Sequence, residues 1–363
     1  AEETASDERR NAMPTASGDT GADRCRAAPT GPAPARPRPV ALLLPGQGAQ
    51  HVRMAAGLYP HEPVFSAAMD EVFTAMGEDG TRLRADWVAE RPTVPIDHVT
   101  RSQPLLFAVD YALGRLVASW GIRPAALLGH SIGEMAAAAL AGVFDLSDAA
   151  GIVLDRVRRL LQAPPGGMLA VAAAPGELGP HLHGDVVVGA VNAPRQTVLA
   201  GPREPLAAVA AALAERGFTC RPVPSLVAFH SPAVAAATAG AEQLLASVRV
   251  RPPDIPVYSG YTAAPLRAAQ IADPGFWARQ PVAPVLFWPA LDALLGDGAF
   301  LLVEAGPGQG LTQVARRHPA VRAGRSAVLP LLPARLGPPR ADRQAVAAAR
   351  AALLAEARLP ERR

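Results

Sequence analysis

The chain has 363 residues, half of them hydrophobic and 18% charged, which provides a sizeable core and suits about two domains or one domain with a large insertion. The formal net charge is only +3, and all 35 Lys+Arg residues are arginine. The lack of lysine removes Schiff-base chemistry, and basic residues scattered without interleaved aromatics give a nucleic-acid surface little support, so no nucleic-acid partner is expected.

Residues 1–38 are rich in Pro, Ala, Arg, Asp and Thr without periodicity and read as a disordered leader. The first ten are acidic and polar, unlike a signal peptide. Val40–Leu44 is a short apolar run of the kind buried in a parallel sheet, and it ends in the turn-rich loop Pro45-Gly-Gln-Gly-Ala-Gln50. Residues 63–77 have helical spacing. Thr100-Arg-Ser-Gln-Pro104 reads as a break, with a helix resuming over 105–120. A second apolar strand, 125–129, runs into His130-Ser131-Ile-Gly-Glu134 and an Ala-rich helix to Ala141. Asp145-Leu-Ser-Asp148 resembles a capping box that opens a helix to about Gln162, and Pro164-Pro-Gly-Gly167 closes it.

Over 168–224 the texture changes. Strand-like runs at 168–173, 185–191 and 196–200 alternate with one helix, 204–216, and suggest a small inserted α+β unit. Beyond His230 come a helix near 232–246, strands at 255–258 and 300–304, a helix near 287–296 and the loop Ala305-Gly-Pro-Gly308. The tail from Pro330 is Pro/Arg-rich and then helical over about 340–357. The longest strongly apolar stretches, such as 135–144, fall well short of the roughly 20 residues that cross a bilayer. Cys25 and Cys220 make no disulfide framework. A soluble protein in a reducing, cytoplasmic setting is expected.

Gly129-His-Ser-Ile-Gly133 fits a G-x-S-x-G elbow between a strand and a helix. The serine sits on a sharp turn, glycines on either side admit neighbouring backbone, and the helix N-terminus favours negative charge. The N–H of Ile132 can then face the oxygen of a tetrahedral intermediate. The plainer alternative is a helix N-cap, because Ser131-x-x-Glu134 also fits a capping box. A serine nucleophile needs a base, and eight histidines are available. His130 adjoins the serine but should point elsewhere; His181 and His183 are a weak metal motif; His51, His61, His98 and His318 have polar surroundings. His230, between Leu226-Val-Ala-Phe229 and Ser231-Pro232, is equally readable as a base or as a satisfied core histidine.

Six motifs in order then converge: Pro45-Gly-Gln-Gly48, Ser102-Gln-Pro104, Gly129-His-Ser-Ile-Gly-Glu134, Val191-Asn-Ala-Pro-Arg195, Ala228-Phe-His-Ser-Pro232 and Glu304-Ala-Gly-Pro-Gly308. The set resembles the malonyl-CoA:acyl carrier protein transacylase family, and most closely the acyltransferase domains of modular polyketide synthases, over roughly residues 40–335. The resemblance implies an α/β fold. An α/β-hydrolase-like large subdomain with a short parallel sheet would span 39–166 and 228–335, a ferredoxin-like small subdomain 167–227, and a C-terminal linker and helix 336–363.

It also implies an acyltransferase that moves a malonyl-type acyl group from coenzyme A, through an acyl-serine, to the phosphopantetheine thiol of an acyl carrier protein. Ser131 matches the nucleophile and His230 its base, oriented by a backbone carbonyl. The N–H groups of Gln47 and Ile132 match the oxyanion hole. Arg156 matches the arginine that pairs with the free carboxylate of the acyl group; without the resemblance it would read as a solvated helix arginine. Gln103, Val227 and Phe229 match pocket-lining positions, and Asn192 a structural one. Val227 and Met135 depart from the common pattern, while Phe229 keeps the bulk that favours plain malonyl.

No metal or redox cofactor is expected, and a monomer is the default. No ketosynthase sequence precedes Val40 and no carrier domain follows, so a discrete enzyme or an excised domain is expected. Three rivals are an editing hydrolase of the same fold, an esterase with Asp185 as a third catalytic group, and a non-transferring carrier-binding module.

Overall fold

The computed structural model describes residues 37–357. The leader expected over 1–38 therefore lies outside the described residues except for its last two positions, as do Cys25 and the end of the tail. The chain starts with β1 (Val40–Leu44), α1 (Pro63–Ala75), α2 (Gly77–Val88), α3 (Val99–Ser119), β2 (Ala126–Gly129), α4 (Ile132–Leu140) and α5 (Leu146–Leu160). It continues with β3 (Gly166–Val171), α6 (Pro175–Leu178), β4 (Val187–Ala193), β5 (Gln196–Pro202), α7 (Arg203–Glu215) and β6 (Cys220–Val223). Next come α8 (Ala235–Thr238), α9 (Glu242–Ser247), β7 (Val257–Ser259), β8 (Ala264–Pro265), α10 (Ala268–Ile271) and α11 (Pro274–Ala278). The last elements are α12 (Phe287–Asp297), β9 (Leu301–Glu304), α13 (Gly310–Arg316), α14 (Pro319–Arg322), β10 (Ala327–Pro330) and α15 (Pro339–Ala357).

A six-stranded sheet runs β10-β9-β1-β2-β7-β8. All neighbours are parallel except β8, which returns antiparallel along the edge of β7. Every residue of β1, β2 and β9 is buried, because helices cover both faces of a parallel sheet. Strand alternation divides β1 between two cores: Leu42 and Leu44 face the layer of α1, α3 and α4, while Ala41 and Leu43 face α12 and the smaller sheet. The order places the loops after β1, β2, β7 and β9 at one edge, where ligands bind open α/β sheets.

The second sheet is antiparallel, ordered β4-β5-β3-β6. With α6 and α7 it makes a β-α-β-β-α-β ferredoxin-like unit. Alternation again decides its faces. Leu169 and Val171 pack with Leu206, Val209 and Leu213, whereas Met168, Ala190 and Val198 turn towards the large sheet. Val191 N–H donates to Val285 O at 2.8 Å, tying the two units together. The α/β fold with its inserted antiparallel unit is the one the sequence predicted.

Local differences have physical causes. Thr100–Pro104 does not break the chain; it forms the first turns of α3. His98 caps the helix by accepting from Thr100 N. The Thr100 carbonyl, which Pro104 leaves without a helical donor, accepts from Arg101 Nη1 at 3.3 Å. The capping box at Asp145 is not made, because that carboxylate is taken by Arg251. The helix expected near 232–246 is a 3₁₀ turn followed by α8 and α9, interrupted by Gly240 at φ 82°. The short helices α6 and α14 and the half-buried edge strand β10 carry too little periodicity to be read from sequence.

Candidate active site

Ser131 stands between the end of β2 and the start of α4 with φ 57° and ψ −121°. A non-glycine residue adopts that conformation only where its surroundings enforce it. Three glycines permit the enforcement. A Cβ on Gly129 would lie 2.2 Å from Glu134 N, one on Gly133 2.1 Å from Leu44 O, and one on Gly46 2.3 Å from His130 O and 2.9 Å from Ser131 Cβ. The β1 loop, the elbow and α4 are thus packed backbone to backbone. Ser131 makes no side-chain cap bond, so the capping-box alternative does not form. Ile132 is the first helical residue, and its N–H has no intrahelical partner.

The Ser131 hydroxyl meets His230 Nε2 at 2.7 Å, across 99 residues of sequence. His230 Nδ1 contacts Gln280 O at 3.1 Å and Ala283 O at 2.9 Å. Carbonyls only accept, so Nδ1 carries the proton and donates, Nε2 keeps its lone pair, and Ser131 donates to it. Both residues are nearly fully buried. Burial first, then the neighbouring His130 imidazole, pulls the His230 pKa from 6.5 down to about 3. His230 is also at positive φ, 61°, and its N–H donates to Pro281 O at 2.6 Å. Asp185, the acid an esterase triad would need, is exposed on the small unit.

Arg156 projects from α5, and its Nη2 donates to Trp277 O at 3.1 Å and Gln280 Oε1 at 3.3 Å. Its guanidinium makes no other hydrogen bond and no ion pair among the described residues. Desolvation lowers its pKa, and Tyr261, Glu134 and Asp155 oppose that shift. A guanidinium does not lose its proton in proteins, so a half-buried cation is left with donors to spare.

Gln280, fully buried, joins these groups. Its backbone carbonyl holds His230, its side-chain oxygen holds Arg156, and its Nε2 donates to Glu134 Oε1 at 3.3 Å. Glu134, on the first turn of α4, also accepts from Ser259 Oγ at 2.8 Å and Gly260 N at 3.0 Å. Burial pushes its pKa up to about 8 against those hydrogen bonds. Gln280 and Tyr261 carry no local signal in the sequence. Glu134 was visible only as part of the elbow.

A cleft of about 600 Å³ opens between the two sheets. Gln47, His130, Asn192, Arg221 and Arg335 are among its lining residues. Gly46, on its wall, touches Ser131. The Gln47 side chain donates to Pro224 O at 2.6 Å and accepts from Gln103 Nε2 at 2.8 Å, so Gln103 is a buried brace behind the loop. His130 Nε2 meets Asn192 Oδ1 at 2.7 Å; the imidazole turns away from Ser131 and bridges to β4. Val227 and Phe229 are buried in the second core, outside the lining of the large cleft, with the Phe229 ring 6.3 Å from that of His230. Among the described residues no cluster of His, Cys, Asp or Glu could hold a metal, and no helix is long and apolar enough to cross a membrane.

The acyl transferase domain family matches residues 42–335. One component of the phenolphthiocerol/phthiocerol polyketide synthase of Mycobacterium tuberculosis is 41% identical over 298 residues, 82% of this chain and 20% of that protein. The chain thus spans about a fifth of that relative's length. The acyl transferase domain of SpnD, in complex with 2-(pent-4-yn-1-yl)malonyl, has a TM-score of 0.82 at 31% identity, covering 91% of this chain and 80% of that one. The malonyl CoA-acyl carrier protein transacylase of Coxiella burnetii has a TM-score of 0.73 at 25% identity, covering 87% and 98%. The chain belongs to the acyl transferase domain family and is homologous to the acyl transferase domains of polyketide synthases and to the bacterial malonyl transacylases.

Proposed function

We propose that this chain transfers a malonyl-type acyl group from coenzyme A to the phosphopantetheine thiol of an acyl carrier protein, in two half-reactions through an acyl-Ser131 intermediate. The observation that carries the proposal is the 2.7 Å contact between Ser131 and the unprotonated Nε2 of a neutral His230. His230 takes the Ser131 proton as Oγ bonds to the thioester carbonyl. The N–H groups of Ile132 and Gln47 hold the oxyanion; losing one such donor typically costs about 10²–10³ in rate. The carbon–sulfur bond then breaks, and His230 returns the proton to the departing thiol. In the second half-reaction the carrier thiol gives its proton to His230 and attacks the ester carbonyl, and His230 returns that proton to Ser131 Oγ as the ester bond breaks.

Arg156 is the clamp for the free carboxylate, because a half-buried guanidinium with unused donors pairs with a carboxylate through charge-assisted hydrogen bonds. The same feature weighs against the editing hydrolase, whose acetyl-like cargo has no charge to clamp. The malonyl derivative bound to the SpnD domain and the name of the Coxiella relative support the same cargo and carrier. A monomer acting in the cytoplasm completes the proposal.

The test is incubation with malonyl-CoA and a holo-acyl carrier protein, followed by intact-mass analysis of the carrier and assay of free malonate. Malonyl-carrier should form faster than free malonate. Malonate release with an unloaded carrier would instead identify a hydrolase.

A further inference from the structure

The proposed acyl-Ser131 intermediate has two fixed ends, the ester at Ser131 Oγ and the carboxylate at Arg156. The carbon between them, which bears any α-substituent, must occupy the space separating those two residues. Tyr261 stands beside the groups at both ends. Its ring centroid lies 6.1 Å from that of His230, at 44° to it, and the Phe229 ring lies 6.3 Å from the same imidazole. Its buried hydroxyl lies close enough to the Glu134 carboxyl, the Arg156 guanidinium and the Ser131 hydroxyl for all three to bear on it.

The backbone that carries the ring is held in place. Tyr261 N–H donates to Ser259 Oγ at 3.1 Å, and that hydroxyl donates to Glu134 Oε1 at 2.8 Å. Gly260 N–H reaches Glu134 Oε2 at 3.0 Å, while Leu286 N donates to Gly260 O at 2.6 Å. A Cβ on Gly260 would sit 3.2 Å from Val285 Cγ1 and 3.4 Å from Gly129 O, so the turn has little room to back away. The backbone that carries the ring therefore has little room to back away from a branched acyl chain.

We propose that Tyr261 determines acyl specificity in this chain, as the wall that admits an unbranched malonyl group and excludes α-alkyl malonyl groups. The proposal rests on the malonyl-transfer reading above. It assigns the selectivity to the bulk of the ring rather than to the hydroxyl.

The experiment is competition between malonyl-CoA and methylmalonyl-CoA, with the two acyl-enzymes resolved by intact mass. The wild-type chain should load malonyl in preference. Tyr261→Val should raise the methylmalonyl-to-malonyl ratio by about tenfold or more, the scale that one methyl-sized change in a pocket commands. Tyr261→Phe, which keeps the ring, should leave the ratio within about twofold of wild type. Tyr261→Leu gives the same reading as Val should the smaller residue fail to fold. A wild-type ratio in a variant that still loads malonyl would overturn the role of Tyr261, and so would a wild-type chain that loads both acyl groups equally. A wild-type chain loaded by neither would remove the malonyl-transfer reading itself.

Discussion

At the scale of residues, Arg156 has the most consequential surroundings. Its one carboxylate neighbour through the network, Glu134, is reached by way of Gln280 and not by a direct ion pair. With burial holding the Glu134 pKa near 8, that carboxyl is protonated at neutral pH and does not neutralise the guanidinium. The cation is therefore available to a substrate. Arg156→Ala should lower malonyl loading relative to acetyl loading by about ten- to a hundredfold, the worth of hydrogen bonds to a charged group, read as the ratio of acyl-enzymes formed from the two thioesters. An unchanged ratio would remove the clamp. Ser131 could be singled out in the sequence because it sits in a motif with local rules, and Arg156 only through the family resemblance, since by itself it reads as a solvated helix arginine. Gln280 and Tyr261 could not, since their roles arise only where the chain folds back across more than a hundred residues onto α4 and α5.

At the scale of elements, the elbow depends on backbone contacts that tolerate no side chain. The Gly133 position faces Leu44 O across the junction of α4 with β1, so a methyl group there must separate helix from sheet. Gly133→Ala should destabilise the fold by about 1–3 kcal/mol, typical of overpacking, measured by urea unfolding. Gly151→Ala, in α5 with open space around it, should cost nothing and serves as the control. The elements themselves were legible to different degrees. Buried β1, β2 and β9 announced themselves as apolar runs that end at glycine-rich loops. The start of α3 did not, because a proline in a second helical turn normally signals a boundary, and here His98 and Arg101 supply the missing bonds. β10, half-buried at the sheet edge, merged with the Pro/Arg-rich tail.

At the scale of the whole molecule, buried ionisable groups set a pH profile with two opposed limbs. His230 has a folded pKa depressed from 6.5 to about 3, so its contribution to stability is present above 6.5 and is lost as pH falls through about 3. Glu134 is raised from 4.5 to about 8; its contribution is present below 4.5 and is lost as pH rises through about 8. Burial likewise raises Glu304 to about 7 and Asp110 well above its usual range. The melting temperature should therefore decline from about pH 6 to about pH 9, and Glu134→Gln should decline less steeply. Equal slopes in the two proteins would show that Glu134 does not titrate in that window. The molecule as a whole exists to bring the end of β2 and the segment after the small sheet together over one imidazole. The most direct test of that is trapping the acyl-enzyme: wild type and Ser131→Ala are incubated with malonyl-CoA, and the modified residue is located by peptide mass mapping. Malonyl on Ser131 in the wild type and none on the variant is the expected result. A variant that still acquires the acyl group, or a label elsewhere in the wild type, would contradict it.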